Sequence, residues 1–273
     1  MNIFQAAVLG LVQGITEFLP ISSTAHLRIV PAVAGWSDPG AAFTAVLQLG
    51  TLAAVIGFFL GDLLRMVRAG LRALQDPAAR SDPDARHLLY IIVGTIPIGI
   101  AGILLRHAVE GALRSLWVVA IALIVVALAL AWIERRRSAS SGRNVDGILL
   151  RDALIIGCAQ ALALVPGVSR SGITLLAAMA LGIRRDAAAR FSFLLSVPAV
   201  AAAGLFELPK LMKMHDIGGT PLAVGLLVAL VSGYASIAWL LKFLRTRSTM
   251  PFVIYRVMLG LLIIVMLAMG RLG

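Results

Sequence analysis

Long apolar runs alternate with short basic connections along this chain, and that alternation restricts it to a helical membrane architecture. Six continuous apolar segments lie near 42–60, 88–105, 116–133, 191–208, 221–241 and 251–270. Each is about 20 residues, the length a helix needs to cross hydrocarbon. Two further apolar regions are broken near their middles, 3–34 at Pro20 and 150–181 at Pro166-Gly167. Each of their arms is under about 18 residues, short for a full crossing. Paired short arms fit a re-entrant hairpin, which is tolerated only where its irregular backbone is buried in protein or lines a watery cavity. At 60% hydrophobic and 14% charged, the chain has too little charge to cover a soluble domain. The expected fold is an all-α polytopic membrane protein with six transmembrane helices and two re-entrant broken-helix hairpins. No basic stretch precedes the first apolar run, so that run reads as fold rather than as a cleaved signal peptide. Cys158 is the only cysteine, which excludes an intramolecular disulfide and a Cys-based metal site.

The net charge of +11 is explained by topology, not by nucleic acid. Loops 61–87, 134–151, 182–190 and 242–250 hold 16 of the 24 Lys and Arg residues. The opposite connections hold five: Arg106, Arg114, Lys210, Lys213 and Arg271. If six segments cross and two re-enter, all four rich loops share one face. The positive-inside rule makes that face cytoplasmic and puts both termini outside. Trp36, Trp117, Trp132 and Trp239 lie near the ends of membrane segments, as interfacial aromatics do.

The two halves, approximately 1–135 and 150–273, resemble each other within one membrane domain spanning 1–273. Gly10 to Pro20 (GLVQGITEFLP) matches Gly157 to Pro166 (GCAQALALVP), pairing Gln13 with Gln160. Ser22 to Thr24 (SST) then lines up with Val168 to Arg170 (VSR), and Phe43 to Ala54 with Phe191 to Ala202. Three crossings per half invert the second half relative to the first. Inverted repeats with broken helices place a site at the repeat interface near the midplane.

The polar residues gather at the breaks. Gln13 and Glu17 are four apart and share a helix face. Pro20 biases Leu19 away from helix, and Ser22 and Ser23 are natural caps for the next one. His26 follows Ser23 by three residues. The second break, PGVSRSG from Pro166 to Gly172, puts Arg170 at a helix start between Ser169 and Ser171. A helix N-terminus offers free N–H groups to phosphate, and a guanidinium adds a two-pronged donor. Ionisable groups at this depth are costly and need a reason.

Each of these residues also has a purely structural reading. Glu17 and Arg170 could form a packing ion pair. Gln13 and Gln160 could bond between helices, Ser22, Ser23 and Thr24 could cap, and His26 could satisfy a carbonyl. Arg28 could snorkel to the interface. Tyr255 and Arg256 lie in a span within possible reach of the polar cluster. His87, His107 and His215 receive no role. Together the set suits phosphoryl transfer on a lipid phosphate, where catalysis is mostly positioning and charge neutralisation. Lipid phosphatases of the type 2 phosphatidic acid phosphatase class need a second His six residues after the Arg. That position is Leu176 here, so that class is excluded.

QGITEFLPISSTAHL (Gln13 to Leu27) resembles the (E/Q)xxxE motif and following Ser-Ser-Thr-x-His of the undecaprenyl-diphosphate phosphatases, also called bacitracin-resistance proteins. PGVSRSG resembles their second motif, and FTAVLQLGT, FSFLLSVP and PFVIYR extend the resemblance over nearly the whole chain. The resemblance implies an inner-membrane phosphatase that converts the C55 isoprenoid diphosphate to its monophosphate, a lipid carrier for peptidoglycan synthesis. It implies a divalent cation, Mg²⁺ or Ca²⁺, and a site facing the periplasm. Carried over, Glu17 is acid/base or metal ligand, Ser23 a nucleophile, His26 its proton partner and Arg170 the diphosphate clamp. Ser22, Thr24, Ser169 and Ser171 are supporting phosphate donors. The family's first acidic position is often Glu but is Gln13 here, a weaker metal ligand that carries no proton. A homodimer is left open. The competing class is a transporter or flippase of a polyprenyl phosphate, which needs a binding cluster but no nucleophile.

Overall fold

The computed structural model describes residues 1–136, 142–212 and 218–271; Arg137, Ser140, Lys213 and His215 lie outside them. Among the described residues the secondary structure is helical, apart from one isolated bridge between Arg143 and Ile183. Twelve α-helices follow one another among the described residues. They are α1 (Ile3–Phe18), α2 (Ser23–Ala34), α3 (Gly40–Phe58), α4 (Leu60–Gln75), α5 (Pro83–Leu104) and α6 (Arg106–Glu110). The second set is α7 (Leu116–Arg136), α8 (Leu150–Ala161), α9 (Arg170–Ala180), α10 (Arg185–Met212), α11 (Gly219–Thr246) and α12 (Met250–Ala268).

Six of these, α3, α5, α7, α10, α11 and α12, are long and apolar enough to cross a membrane. They are the six segments read from the sequence, with ends moved by a few residues. α1, α2, α8 and α9 have 16, 12, 12 and 11 residues. Even α1 rises only about 24 Å, against roughly 30 Å of hydrocarbon.

One stretch differs from expectation. The basic loop 61–87 is largely helical. α4 fills its first part and a 3₁₀ turn (Pro77–Ser81) follows. Leu60, Leu64, Val67, Leu71 and Leu74 stand exposed on α4, while Met66 and Ala69 are buried. That apolar spacing has a helical period interleaved with Arg65, Arg68 and Arg72, a signal that charge counting passes over.

The halves pack across each other. α1 lies against α11 and α8 against α5, while α3 pairs with α10 and α7 with α12. Glycines permit the first two crossings. A Cβ on Gly10 would sit 2.3 Å from the Gly225 carbonyl oxygen, and one on Gly157 would sit 2.2 Å from that of Gly94. Both are inside the closest contact a real Cβ makes, so helix backbones touch at equivalent points of the two halves.

The four basic segments converge at one end of the molecule. Asp62, Arg65, Asp84, Asn144, Asp146, Arg184, Arg190 and Arg245, drawn from all four, line a polar cavity of about 410 Å³. Arg190 pairs with Asp62, and Arg185 with Glu134. The backbones of Arg143 and Arg184 bond across this end, Arg184 N to Arg143 O at 3.0 Å.

Candidate active site

The two breaks share one local geometry. Leu19 is extended, which ends α1 at Phe18, two residues before Pro20. Ser22 then takes a left-handed backbone (φ 75°, ψ 97°), and its Oγ accepts from the Ala25 N–H at 3.4 Å. At the second break Ser169 does the same (φ 71°, ψ 114°), and its Oγ accepts from Gly172 N–H at 3.1 Å. These are the only non-glycine residues with positive φ among those described. A left-handed serine costs about 1–2 kcal/mol, so both turns are held by their surroundings. The cap equivalence pairs Ser22 with Ser169, one residue away from the match read in the sequence. Ser22, not Ser23, is the cap. Ser23 opens α2 with its hydroxyl free for other work.

Arg256 holds both turns. It is fully buried in α12, and its guanidinium donates to five backbone carbonyls. Pro20 belongs to the first break (3.1 Å), and Gly167 and Val168 to the second (3.0 Å each). Leu123 and Ala122 of α7 are the others. A buried guanidinium is tolerated only when its donors are matched, and these carbonyls match them. Ser171 Oγ adds a link from α9 to Leu19 O at 3.1 Å.

The polar residues meet between the turns. Glu17 Oε2 accepts from Ser23 Oγ at 2.7 Å and from Gln13 Nε2 at 2.9 Å. Its Oε1 accepts from Arg170 Nη2 at 2.8 Å. The ion pair considered from the sequence is therefore present, with side chains only 5% and 11% exposed. Ser22 Oγ and Thr24 Oγ1 lie 3.0 Å apart, and Gly167 N–H donates to Thr24 Oγ1 at 3.5 Å. Ser169 and Ser171 hydroxyls are 3.2 Å apart.

His26 is arranged otherwise than expected from its spacing to Ser23. Its Nδ1 lies 2.7 Å from Ser22 O, a carbonyl that can only accept, so Nδ1 carries the hydrogen. Nε2 then accepts from the Tyr255 hydroxyl at 2.6 Å, with the two rings stacked at 6°. The imidazole faces α12, and the group bonded to the Ser23 hydroxyl is Glu17. Residues i and i+3 are neighbours on a helix but diverge in direction. The carbonyl one turn back from His26 captures its ring. Gln160 is buried with neither side-chain atom bonded.

Glu17, Ser22, Ser23, Thr24, Ser169 and Arg170 line the polar end of a cavity of about 270 Å³. Ala45, Ile98, Val119, Leu164, Pro166 and Val200 line its apolar body. A headgroup can meet the polar end while an apolar chain follows the rest. Sequence reasoning missed four supporting residues. Thr51 Oγ1 is 3.5 Å from Gln13 Nε2, Gln48 lines the cavity, and Thr174 Oγ1 bonds Ser192 Oγ at 2.6 Å. Lone hydroxyls and amides in spans carry no periodic signal.

A divalent cation fits this donor set only in part from the protein. Among the described residues no three His, Cys, Asp or Glu side chains converge on one point. Glu17 offers a hard oxygen pair, and Gln13 Oε1 is buried beside it with no partner. One or two protein oxygens completed by substrate phosphates is how Mg²⁺ is commonly held.

A family profile described as "Bacitracin resistance protein BacA" matches residues 6–262. A protein of Myxococcus xanthus named "Undecaprenyl-diphosphatase" is 52% identical over 278 residues, covering all of this chain and 92% of its own. "Undecaprenyl-diphosphatase 2" of Streptomyces coelicolor is 46% identical over 283 residues, covering 100% and 97%. A Nocardioides "Undecaprenyl-diphosphatase" is 50% identical over 271 residues, covering 99% and 98%. With this match running through both breaks and every spanning helix, the chain belongs to the bacitracin resistance protein BacA family.

Proposed function

We propose that the chain is an integral-membrane phosphatase that hydrolyses undecaprenyl diphosphate to the monophosphate and inorganic phosphate. That recycles the lipid carrier for cell-wall synthesis and confers bacitracin resistance. The observation that carries this reading is the contact of Ser23 Oγ with Glu17 Oε2 at 2.7 Å, at the polar end of an amphiphilic cavity. A transporter needs no hydroxyl bonded to a carboxylate, and the curated relatives carry phosphatase names.

In this reading Ser23 Oγ attacks the terminal phosphorus as its proton passes to Glu17. The bond from phosphorus to the bridging oxygen breaks, and undecaprenyl monophosphate leaves with the proton that Glu17 took, which returns Glu17 to the carboxylate. Water then attacks the phosphoserine, its proton passing to Glu17 and on to Ser23 Oγ as the P–Oγ bond breaks and inorganic phosphate leaves. Arg170 exchanges part of its contact with Glu17 for two phosphate oxygens, with N–H groups and hydroxyls at the α2 and α9 starts around them. His26 fixes the first turn of α2 through Ser22 O and Tyr255. Glu17 and Gln13 Oε1 would hold a Mg²⁺ or Ca²⁺ ion, which when bound supplies charge neutralisation to the diphosphate.

The protein sits in the bacterial inner membrane. Its termini and active site face the periplasm, and both broken helices re-enter as an inverted pair. The convergence of four basic segments at one end supports this, as does the contribution of Val109 and Arg114, from a basic-poor connection, to the active cavity.

The test is release of inorganic phosphate from undecaprenyl diphosphate by purified protein in detergent, where no second compartment exists. A phosphatase releases it, Ser23→Ala abolishes it by orders of magnitude, and chelator stops it until Mg²⁺ or Ca²⁺ returns. Lipid movement between vesicle leaflets without phosphate release would establish the transporter instead. Cysteines at Ser37 and Ser140, with Cys158 replaced, should label from opposite sides of intact cells.

A further inference from the structure

The reactive pair is electrically neutral, and that leaves recruitment of a polyanion to other groups. Among the described residues, four titratable side chains line the active cavity: Glu17, Arg170, Arg28 and Arg114. Glu17 and Arg170 neutralise each other at 2.8 Å. The positive excess facing the cavity is therefore carried by Arg28 and Arg114. Their side chains are 28% and 24% exposed, against 11% for Arg170, so they stand at the mouth. Arg28 does not snorkel alone. Its Nε lies 3.5 Å from Asp38 Oδ2, Arg114 Nη2 lies 3.2 Å from the same oxygen, and Arg28 Nη1 donates to Arg114 O at 3.2 Å. One carboxylate thus spaces two guanidinium groups, and the three side chains together carry a net charge of +1. Arg28 follows Thr24 by one turn on the same face of α2, and both line the cavity. The mouth is about 6 Å along that helix from the phosphate donors at its start.

We propose that Arg28, Arg114 and Asp38 form a phosphate-binding station at the mouth of the cavity, separate from the reacting centre. It takes a phosphate group on its way to Ser23 or on its way out. The chemistry is that of a phosphate dianion or a phosphate ester, held by paired guanidinium donors in a low-dielectric funnel. An exposed ion pair contributes little to stability, so folding alone gives a weak reason for two arginines on one carboxylate. The inference rests on the phosphatase reading for its kinetic arm only.

The test removes charge of either sign. Arg28→Gln and Arg114→Gln should each raise KM for undecaprenyl diphosphate about 3- to 10-fold, with kcat near wild type and a flatter dependence on salt. Asp38→Asn should act in the opposite direction, lowering KM and tightening inhibition by inorganic phosphate about 2- to 5-fold. Arg28→Lys and Arg114→Lys keep the charge that recruits the phosphate but lose the planar fork, so each should raise KM, by less than the Gln variant does, which covers the case in which a Gln variant fails to fold. The activity-free arm is the thermal shift given by inorganic pyrophosphate or phosphate, present in wild type and lost in Arg28→Gln/Arg114→Gln. A lost shift with unchanged KM assigns the station to released phosphate, and a raised KM with no phosphate shift assigns it to the lipid headgroup. Unchanged KM together with an unchanged shift overturns the station, as does an Asp38→Asn protein that binds phosphate no better. Wild type that binds pyrophosphate at this mouth without hydrolysing the lipid would sink the phosphatase reading and leave the station standing.

Discussion

The break at Pro20 and the break at Pro166-Gly167 share one local backbone geometry and carry different side chains. The same spacing that takes Gly10 to Gly157 and Gln13 to Gln160 takes Ser22 to Ser169. At those positions the two halves agree: a glycine crossing, a buried glutamine and a left-handed capping serine. That spacing also takes Glu17 to Leu164, Ser23 to Arg170 and His26 to Ile173. There the halves part. The first break supplies the carboxylate and hydroxyl, and the second supplies the cation that completes them. Neither break is a site by itself. The difference shows in the glutamines: Gln13 is bonded to Glu17, whereas Gln160 has no carboxylate one turn on and no partner.

That contrast can be broken most severely at Glu17. Glu17→Gln keeps the shape but removes the carboxylate proposed as proton acceptor and leaves the Arg170 charge without its counterion. It should lower kcat by about 10²- to 10⁴-fold, measured as phosphate release. A loss under tenfold would mean that the first break does not supply the base.

Arg170→Lys comes next. A packing partner for Glu17 needs only a positive charge, whereas a diphosphate clamp needs the planar fork. Loss of one charged hydrogen bond is worth roughly 1.5–3 kcal/mol, so kcat/KM should fall about 10- to 150-fold in a protein of unchanged thermal stability. Kinetics like wild type would reduce the second break to a structural counterion.

The shared scaffold should respond symmetrically. Gly10→Ala and Gly157→Ala each drive a methyl into a facing carbonyl, and each should destabilise by about 1–3 kcal/mol. Thermal unfolding in one detergent checks that the two losses are alike. A large loss in one and none in the other would end the equivalence of the crossings.

The smallest effect is expected at the caps. Ser22→Gly and Ser169→Gly exchange a capping hydroxyl for relief of the left-handed backbone and should shift stability by only a few tenths of a kcal/mol. Ser22→Ala and Ser169→Ala lose the cap and keep the strain, so each should fall by about 1–2 kcal/mol. Alanine no worse than glycine would show that the positive φ is not imposed by the fold.

Much of this was legible in the chain because it is written locally. Apolar length marks the spanning helices, proline marks the breaks, and four-residue spacing puts Gln13 beside Glu17. α4 is hard to read from the chain because its Arg residues count equally as loop charge and as one face of a helix. Local sequence could not say which partner each polar group takes. The Ser23 hydroxyl chooses between Glu17 and His26 by ring direction, and that is set when Tyr255 of α12 packs on the imidazole. Arg256 reads as one costly charge in a span. Its worth emerges only when α7 and both breaks bring five carbonyls to it. Arg28 is joined to Arg114 through Asp38 by the packing of separate connections, 86 residues apart along the chain. Sequence by itself determined the membrane class, the segments, the breaks and the residue types at the centre, because hydrophobic length and helical period act over a few turns. The pairings that make those residues a site were decided only by tertiary structure, because hydrogen bonds and ion pairs act over about 3 Å between segments far apart in the chain.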